Sequence, residues 1–397
     1  MGGKLAKIKE IDALESDKPN INSIIDKIKE ILKSGYQEET IIVKDNKVIK
    51  RHEIYWALKY MGTKYVAISD KEENVKVSLD FLGFYDEVSD PGIRVFNNAT
   101  ELIEKDRPTP LVKLNGIIND NKIKIWAKLE WYNPFSLSIK DRTAWYIIYN
   151  NLDKLSDKEK VFEATSANTG IAIAAISSML NKKTKIFMPE TSPEYANKLL
   201  KIYGSEVIKE GTTTNELIDK VKVYAEKENA FVPNQFSNIF NLLVHLRYTA
   251  KEIDYQTMYG KLKLGGIFAS MGTGGHIAGI TLYFHNKNRT VKIFGIQPEE
   301  NGTIPGIKKQ DFKNWWNIND VPDHVYSVNL EDSIDILIKT ARTNGILPGI
   351  SGGAVLAGIK KAYSEGVLDE GDYVCVIPDN GIKYLDEIYN EKILFSD

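Results

Sequence analysis

Cysteine is almost missing from this chain: Cys375 is the only one in 397 residues. A single thiol excludes an intramolecular disulfide framework. Cys375 lies in the apolar run 372–377, which reads as a buried strand, so packing rather than thiol chemistry is expected of it. An excess of charge of one sign is also missing. The formal net charge is -2, which gives no electrostatic argument for nucleic acid or an anionic membrane as a partner. No apolar run reaches bilayer length; the most apolar helix-like segment, 171–180, is about half of a span. The start, Met1 to Lys7, has no apolar core of a secretory signal, and Ala6 breaks the myristoylation pattern. The expectation is a cytoplasmic protein, with no metal site. With 43% hydrophobic and 27% charged residues, the chain is long enough for two or three domains around a sizeable core.

Three segments carry chemistry. The first is Asn133-Pro134-Phe135-Ser136-Leu137-Ser138-Ile139-Lys140-Asp141-Arg142. It sets one lysine behind a turn, among small hydroxyl residues, at the head of a predicted helix. An amine held in a fixed, partly desolvated place has a lowered pKa and becomes a nucleophile or base. The second is Thr165-Ser166-Ala167-Asn168-Thr169-Gly170, between a predicted strand and helix. Its hydroxyl, amide and exposed N–H groups suit a carboxylate, although a plain helix N-cap uses the same residue types. One helix needs one cap, and this loop offers several. The third is Gly272-Thr273-Gly274-Gly275-His276, where a strand feeds a glycine turn and then a helix. Such a turn aims successive N–H groups at a phosphate, with the positive helix end behind it. A tight strand–helix turn without a ligand is the alternative, and His276 is expected to pack at the helix start. The Walker pattern fails here, because no Gly-Lys-Ser/Thr follows. The dinucleotide pattern fails at Ile277, which removes the argument for a nicotinamide oxidoreductase.

The chain divides near residue 95, with the boundary placed in 89–98. Before it, 22–33 and 52–60 read as helices, the latter stopped by Gly62, and 40–43 with 47–49 reads as a hairpin over Asp45-Asn46. Residues 64–69 read as a strand. The order strand, helix, glycine, strand is similar to ParB-like nucleotide-handling domains. Lys50, Arg51 and His52 stand where that family has glycine and arginine, so 1–95 is expected to serve oligomerisation or packing. Beyond residue 96, strands and helices alternate: strands at 161–164, 184–188, 206–208, 264–270, 291–297 and 372–377, helices at 171–180, 194–203, 213–229 and 352–365. Threonines are expected to cap 213–229. The alternation implies parallel sheets with helices on both faces, an α/β class.

In this order the three segments resemble the β-family of pyridoxal phosphate enzymes (fold type II), the cysteine synthase and cystathionine β-synthase group, over roughly residues 100–390. The resemblance implies two doubly wound α/β subdomains with a cofactor cleft between them, beside the small N-terminal α+β extension. It implies that Lys140 forms the Schiff base with pyridoxal 5'-phosphate and acts as general base. Asn168 would hydrogen-bond the cofactor's ring hydroxyl, Gly272, Thr273, Gly274, Gly275 and His276 would hold its phosphate, and Ser351 of Gly349-Ile350-Ser351-Gly352-Gly353-Ala354 would face its ring nitrogen. Thr165, Ser166, Thr169 and Gln235 would hold the substrate carboxylate. The family usually has glycine at Ala167 and threonine at His276. A neutral hydroxyl at Ser351 makes a shallower electron sink than a carboxylate, favouring prompt loss of a β-leaving group.

The wording around 133–138 and Ile304-Pro305-Gly306-Ile307-Lys308-Lys309 is similar to archaeal O-phosphoserine sulfhydrylases. There an arginine stands at the position of Lys308, which lacks the bidentate fork; the lysine pair also reads as a solvated loop. The resemblance implies β-replacement of O-phospho-L-serine, or of O-acetyl-L-serine, by sulfide to give L-cysteine through an α-aminoacrylate. Cystathionine β-synthase chemistry, serine plus homocysteine, is the alternative. A homodimer and a movable subdomain around 145–240 are implied as well.

Overall fold

The computed structural model describes residues 4–88, 92, 94–312, 316, 318 and 320–392. Parts of the expected boundary, 89–91 and 93, and the tail 393–397 lie outside the described residues.

A six-stranded sheet forms the larger layer. Its order is His324–Val328, Lys292–Pro298, Leu264–Ser270, Gly371–Ile377, Ile123–Leu129 and Leu111–Leu114. All neighbours pair in parallel except the edge strand Leu111–Leu114, which is antiparallel to Ile123–Leu129. Gly371–Ile377 is buried at every position, as its unbroken apolar run requires of a strand covered on both faces. Cys375 sits there, its Sγ donating to the Trp126 carbonyl at 3.3 Å, and burial pushes its thiol pKa up.

The smaller layer is a three-stranded parallel sheet, Glu206–Lys209, Lys183–Met188 and Lys160–Ala164. It has its own apolar cluster, in which Phe162 and Phe187 meet Leu217 and Val221 of the helix Thr214–Lys227. The expected threonine cap of that helix is a correction. Thr213 makes no capping bond; instead Thr212 N–H, Thr212 Oγ1 and Thr213 Oγ1 all donate to the Glu216 carboxylate, which satisfies the helix start from inside its first turn.

The N-terminal elements form a four-stranded sheet, in the order Lys4–Lys7, Tyr65–Ser69, Ile41–Lys44 and Lys47–Lys50, with helices Ile21–Ser34 and His52–Met61. The hairpin pairs antiparallel across Asp45 and Asn46, both at positive φ, and Gly62 ends its helix at φ 72°. This unit does not stand apart. Ile24, Ile28, Trp56 and Met61 join the same buried cluster as Leu242, Ile277 and Phe284. Glu87 fastens the junction: its carboxylate accepts from Arg247 at 2.8 Å and from Lys251 at 2.6 Å, and Lys251 also donates to the Met61 carbonyl at 2.5 Å. Arg247 belongs to a π-helical turn, His245–Ala250, whose first residue, His245, bonds Thr143 of the helix Lys140–Tyr149. Among the described residues no helix is long and apolar enough to cross a membrane.

Candidate active site

Lys140 opens the helix Lys140–Tyr149. The two residues after it explain why the loop holds its shape. Asp141 folds back and accepts from Phe135 N–H at 2.6 Å, Ser136 N–H at 2.7 Å and the Ser136 hydroxyl. Burial raises its pKa to about 6, with those hydrogen bonds opposing. Arg142 points into the body and binds two buried carboxylates, Glu130 at 2.6 Å and Glu252 at 2.6 Å. Glu252 also takes Lys128 at 2.7 Å, with Arg107 at 3.8 Å. The lysine is thus held between a loop staple and an ion cluster. Burial lowers the Lys140 amine to about pKa 8, and Asp379 pulls it back toward the charged form.

Asn241 joins the surrounding loops. Its side chain is buried, accepts from Thr143 Oγ1 of the lysine helix at 2.9 Å, and donates to the Gln235 carbonyl at 2.8 Å and to Thr273 Oγ1 at 2.9 Å. Asn241 thus links the glycine loop to the lysine helix. Gly274 has φ 83°, and a Cβ on Gly275 would run into Asn241. Behind them lie two imidazoles with ring centroids 5.9 Å apart, His245 and His276. His245 is satisfied by Thr143 at 3.2 Å and Thr249 at 2.9 Å. His276 is buried and neither ring nitrogen has a hydrogen-bond partner; burial and the Lys140 charge push it down to about pKa 3. Its unpartnered ring nitrogens could hydrogen-bond a group held beside the glycine loop.

The asparagine loop closes the other side. Thr169 Oγ1 donates to Gln235 Oε1 at 2.7 Å, so two expected carboxylate contacts are neighbours. Thr165 is buried and Ser166 exposed. Asn168 Nδ2 donates to Asp379 at 2.7 Å. Asp379 follows the central strand; its backbone accepts from Gly349 N–H at 2.9 Å, next to the helix Ile350–Ser364 that carries buried Ser351. Lys308 is half-buried, its Nζ 4.8 Å from the Phe236 ring centre and 3.5 Å from Asn215 Oδ1, and burial lowers its pKa. Lys309 is exposed and pairs with Glu300 at 3.2 Å, so the first lysine of the pair is the one that lies against Phe236.

Sequence reasoning missed Asn241, Asp379 and Lys383. The turn signal Pro378-Asp379-Asn380-Gly381 was available for Asp379. Nothing local distinguishes Asn241, whose partners come from three separate segments.

The chain is similar to known proteins over most of its length. Residues 103–379 match a family model described as pyridoxal-phosphate dependent enzyme. The chain is 32% identical to cysteine synthase of Staphylococcus aureus over 303 residues, 73% of this chain and 95% of the relative. It is 31% identical to cysteine synthase B of Escherichia coli over 295 residues, 70% and 91% of the two chains. A crystal structure of cysteine synthase from Entamoeba histolytica superposes with a TM-score of 0.66 at 27% identity, covering 77% of this chain and 94% of that one.

Proposed function

This chain belongs to the family of pyridoxal-phosphate dependent enzymes, and from that membership we propose that it is a cysteine synthase that takes O-phospho-L-serine as donor and sulfide as acceptor. The observation that carries the reading is the half-buried Lys140, its amine lowered to about pKa 8, ringed by the glycine, asparagine and serine loops.

The residues present fit the cofactor. Lys140 offers a primary amine for its aldehyde. The glycine loop with Thr273 and the unpartnered His276 offers donors for its phosphate. Asn168 suits the ring oxygen, and Ser351 the ring nitrogen. When bound, pyridoxal phosphate supplies a sink for negative charge at the substrate's Cα. Thr165, Ser166, Thr169 and Gln235 bind the substrate carboxylate. The Lys140 amine removes the proton at Cα and later returns it. Lys308 receives the departing phosphate as a point charge. Carboxylate binding at Thr169 and Gln235 draws the unit around 145–240 over the cleft and excludes water. The same reading takes 96–397 as the catalytic domain, 1–95 as a packing unit, and the working form as a cytoplasmic homodimer.

Two measurements test it. O-phospho-L-serine, O-acetyl-L-serine and serine are compared with sulfide as acceptor. Lys308→Ala is expected to lower kcat/KM for phosphoserine by about tenfold or more, the size of a hydrogen bond to a charged group, and to spare acetylserine. Equal losses for both donors would remove the phosphate role. Second, apoprotein is mixed with pyridoxal phosphate across a pH series. The neutral amine is the nucleophile, so the rate of appearance of the visible band should rise with pH and level off above about 8. A rate still climbing past about pH 10, as for an ordinary lysine, would contradict the buried-amine reading.

A further inference from the structure

The Asn168 amide is gripped from both ends by groups of opposite charge. Lys383 Nζ donates to Oδ1 at 2.8 Å, and Nδ2 donates to Asp379 Oδ2 at 2.7 Å. An ammonium needs an acceptor and a carboxylate needs a donor, so the amide has one permitted orientation. Both gripping groups are themselves fixed. Lys383 also donates to the Ser136 and Leu137 carbonyls at 2.5 and 3.2 Å, within the loop that precedes Lys140. Asp379 accepts from the Tyr384 hydroxyl at 2.7 Å, and Ile139 N–H of the lysine loop bonds the neighbouring Pro378 carbonyl at 2.9 Å. The two side chains are 9% and 1% exposed, with Nζ and Oδ2 3.9 Å apart. Asp379 Oδ1 is buried and has no hydrogen-bond partner.

Ion pairs that brace a surface turn do not bury a carboxylate with one oxygen unpaired, because that arrangement is destabilising. We propose that Asp379 and Lys383 are positioning residues: they lock the Asn168 amide so that its second Nδ2–H is reserved for an acceptor in the cleft, the ring oxygen of pyridoxal phosphate. The inference rests on the cofactor reading above. Asp379 has a second effect through space. Its negative charge faces the Lys140 amine and favours the protonated form, opposing the burial that lowers it. The turn 378–384 thereby acts on both residues that hold the cofactor's reactive half.

The test uses full-length protein stripped of cofactor and reconstituted with pyridoxal phosphate. Lys383→Met is expected to raise the dissociation constant of the cofactor about tenfold, the worth of one charge-assisted hydrogen bond, and to move the visible maximum. Lys383→Arg keeps a cation and donors and is expected to restore both. Asp379→Asn is expected to lower the pH midpoint of reconstitution below that of the unmodified protein, since a negative charge beside Lys140 is gone. Should Lys383→Met fail to fold, Lys383→Leu, which also lacks a donor, carries the same expectation. A structural brace alone would lower the Tm of the apoprotein variants and leave affinity, maximum and midpoint unmoved; that result overturns the inference. An unmodified protein that gives no visible band overturns the cofactor reading itself, and the inference with it.

Discussion

Lys140→Ala is expected to lower kcat for cysteine formation by about three orders of magnitude, within the range of a lost general base, and to leave the fold standing. Both halves follow from the surroundings. In the proposed reading the Lys140 amine binds the cofactor's aldehyde and moves the proton at Cα. Its removal strands no charge. Burial keeps His245 and His276 below their ordinary range, with the Lys140 charge adding to the effect, and Asp379 retains Asn168, Tyr384 and Lys383. Steady-state rates with sulfide, read beside the urea midpoint, separate the two effects. Lys140→Arg should be as inactive, because charge without a primary amine replaces neither role. A variant retaining activity within tenfold would remove Lys140 from the reaction.

The second large effect concerns stability. Glu252→Gln is expected to lower the unfolding free energy by about 3–5 kcal/mol, as when one partner of a buried ion cluster is removed. Lys128, Arg142 and Arg107 would remain buried with Glu130 alone to balance them; these side chains and Glu252 are 0–2% exposed. Burial by itself raises the Glu252 pKa, but Arg142 and Lys128 outweigh it and hold the carboxyl well below the usual range. The sign of the pH dependence follows. The cluster's contribution is complete above the unfolded carboxylate pKa of about 4.3 and is lost as pH falls toward the folded value. Urea denaturation at neutral and acid pH reads both effects, and adding Lys128→Met to the variant should recover part of the loss. A change under 1 kcal/mol would mean the cluster relaxes on losing Glu252.

The same cluster explains where the sequence was hard to read. Ile123–Leu129 contains Lys124 and Lys128, so its apolar pattern looks broken and no strand is predicted there. Lys128 is in fact fully buried, because Glu252, 124 residues away, neutralises it. A local window holds no sign of a partner that distant. The segment from Phe240 to Tyr259 is hidden for another reason: its π-helical turn breaks the 3.6-residue period. The alternation from Lys160 to Lys227 is plain, since glycine ends and apolar strands are local signals. The site divides likewise. Lys140, Asn168 and the glycine loop are legible because each sits at a strand–helix junction with unusual side-chain density. Asn241 and Lys383 bond to segments far from them in sequence, and those bonds exist only once the loops meet.

The central strand has one further consequence. Sulfide attacks disulfides and sulfenic acids to give persulfides, so in an enzyme that works with sulfide an accessible thiol becomes a liability once it has been oxidised. Attack on sulfur requires a thiolate, and Cys375 is 0% exposed with its thiol pKa raised by burial. Its proton is already committed to the Trp126 carbonyl. The catalyst therefore works with sulfide while its one thiol stays protonated and out of reach of disulfide exchange.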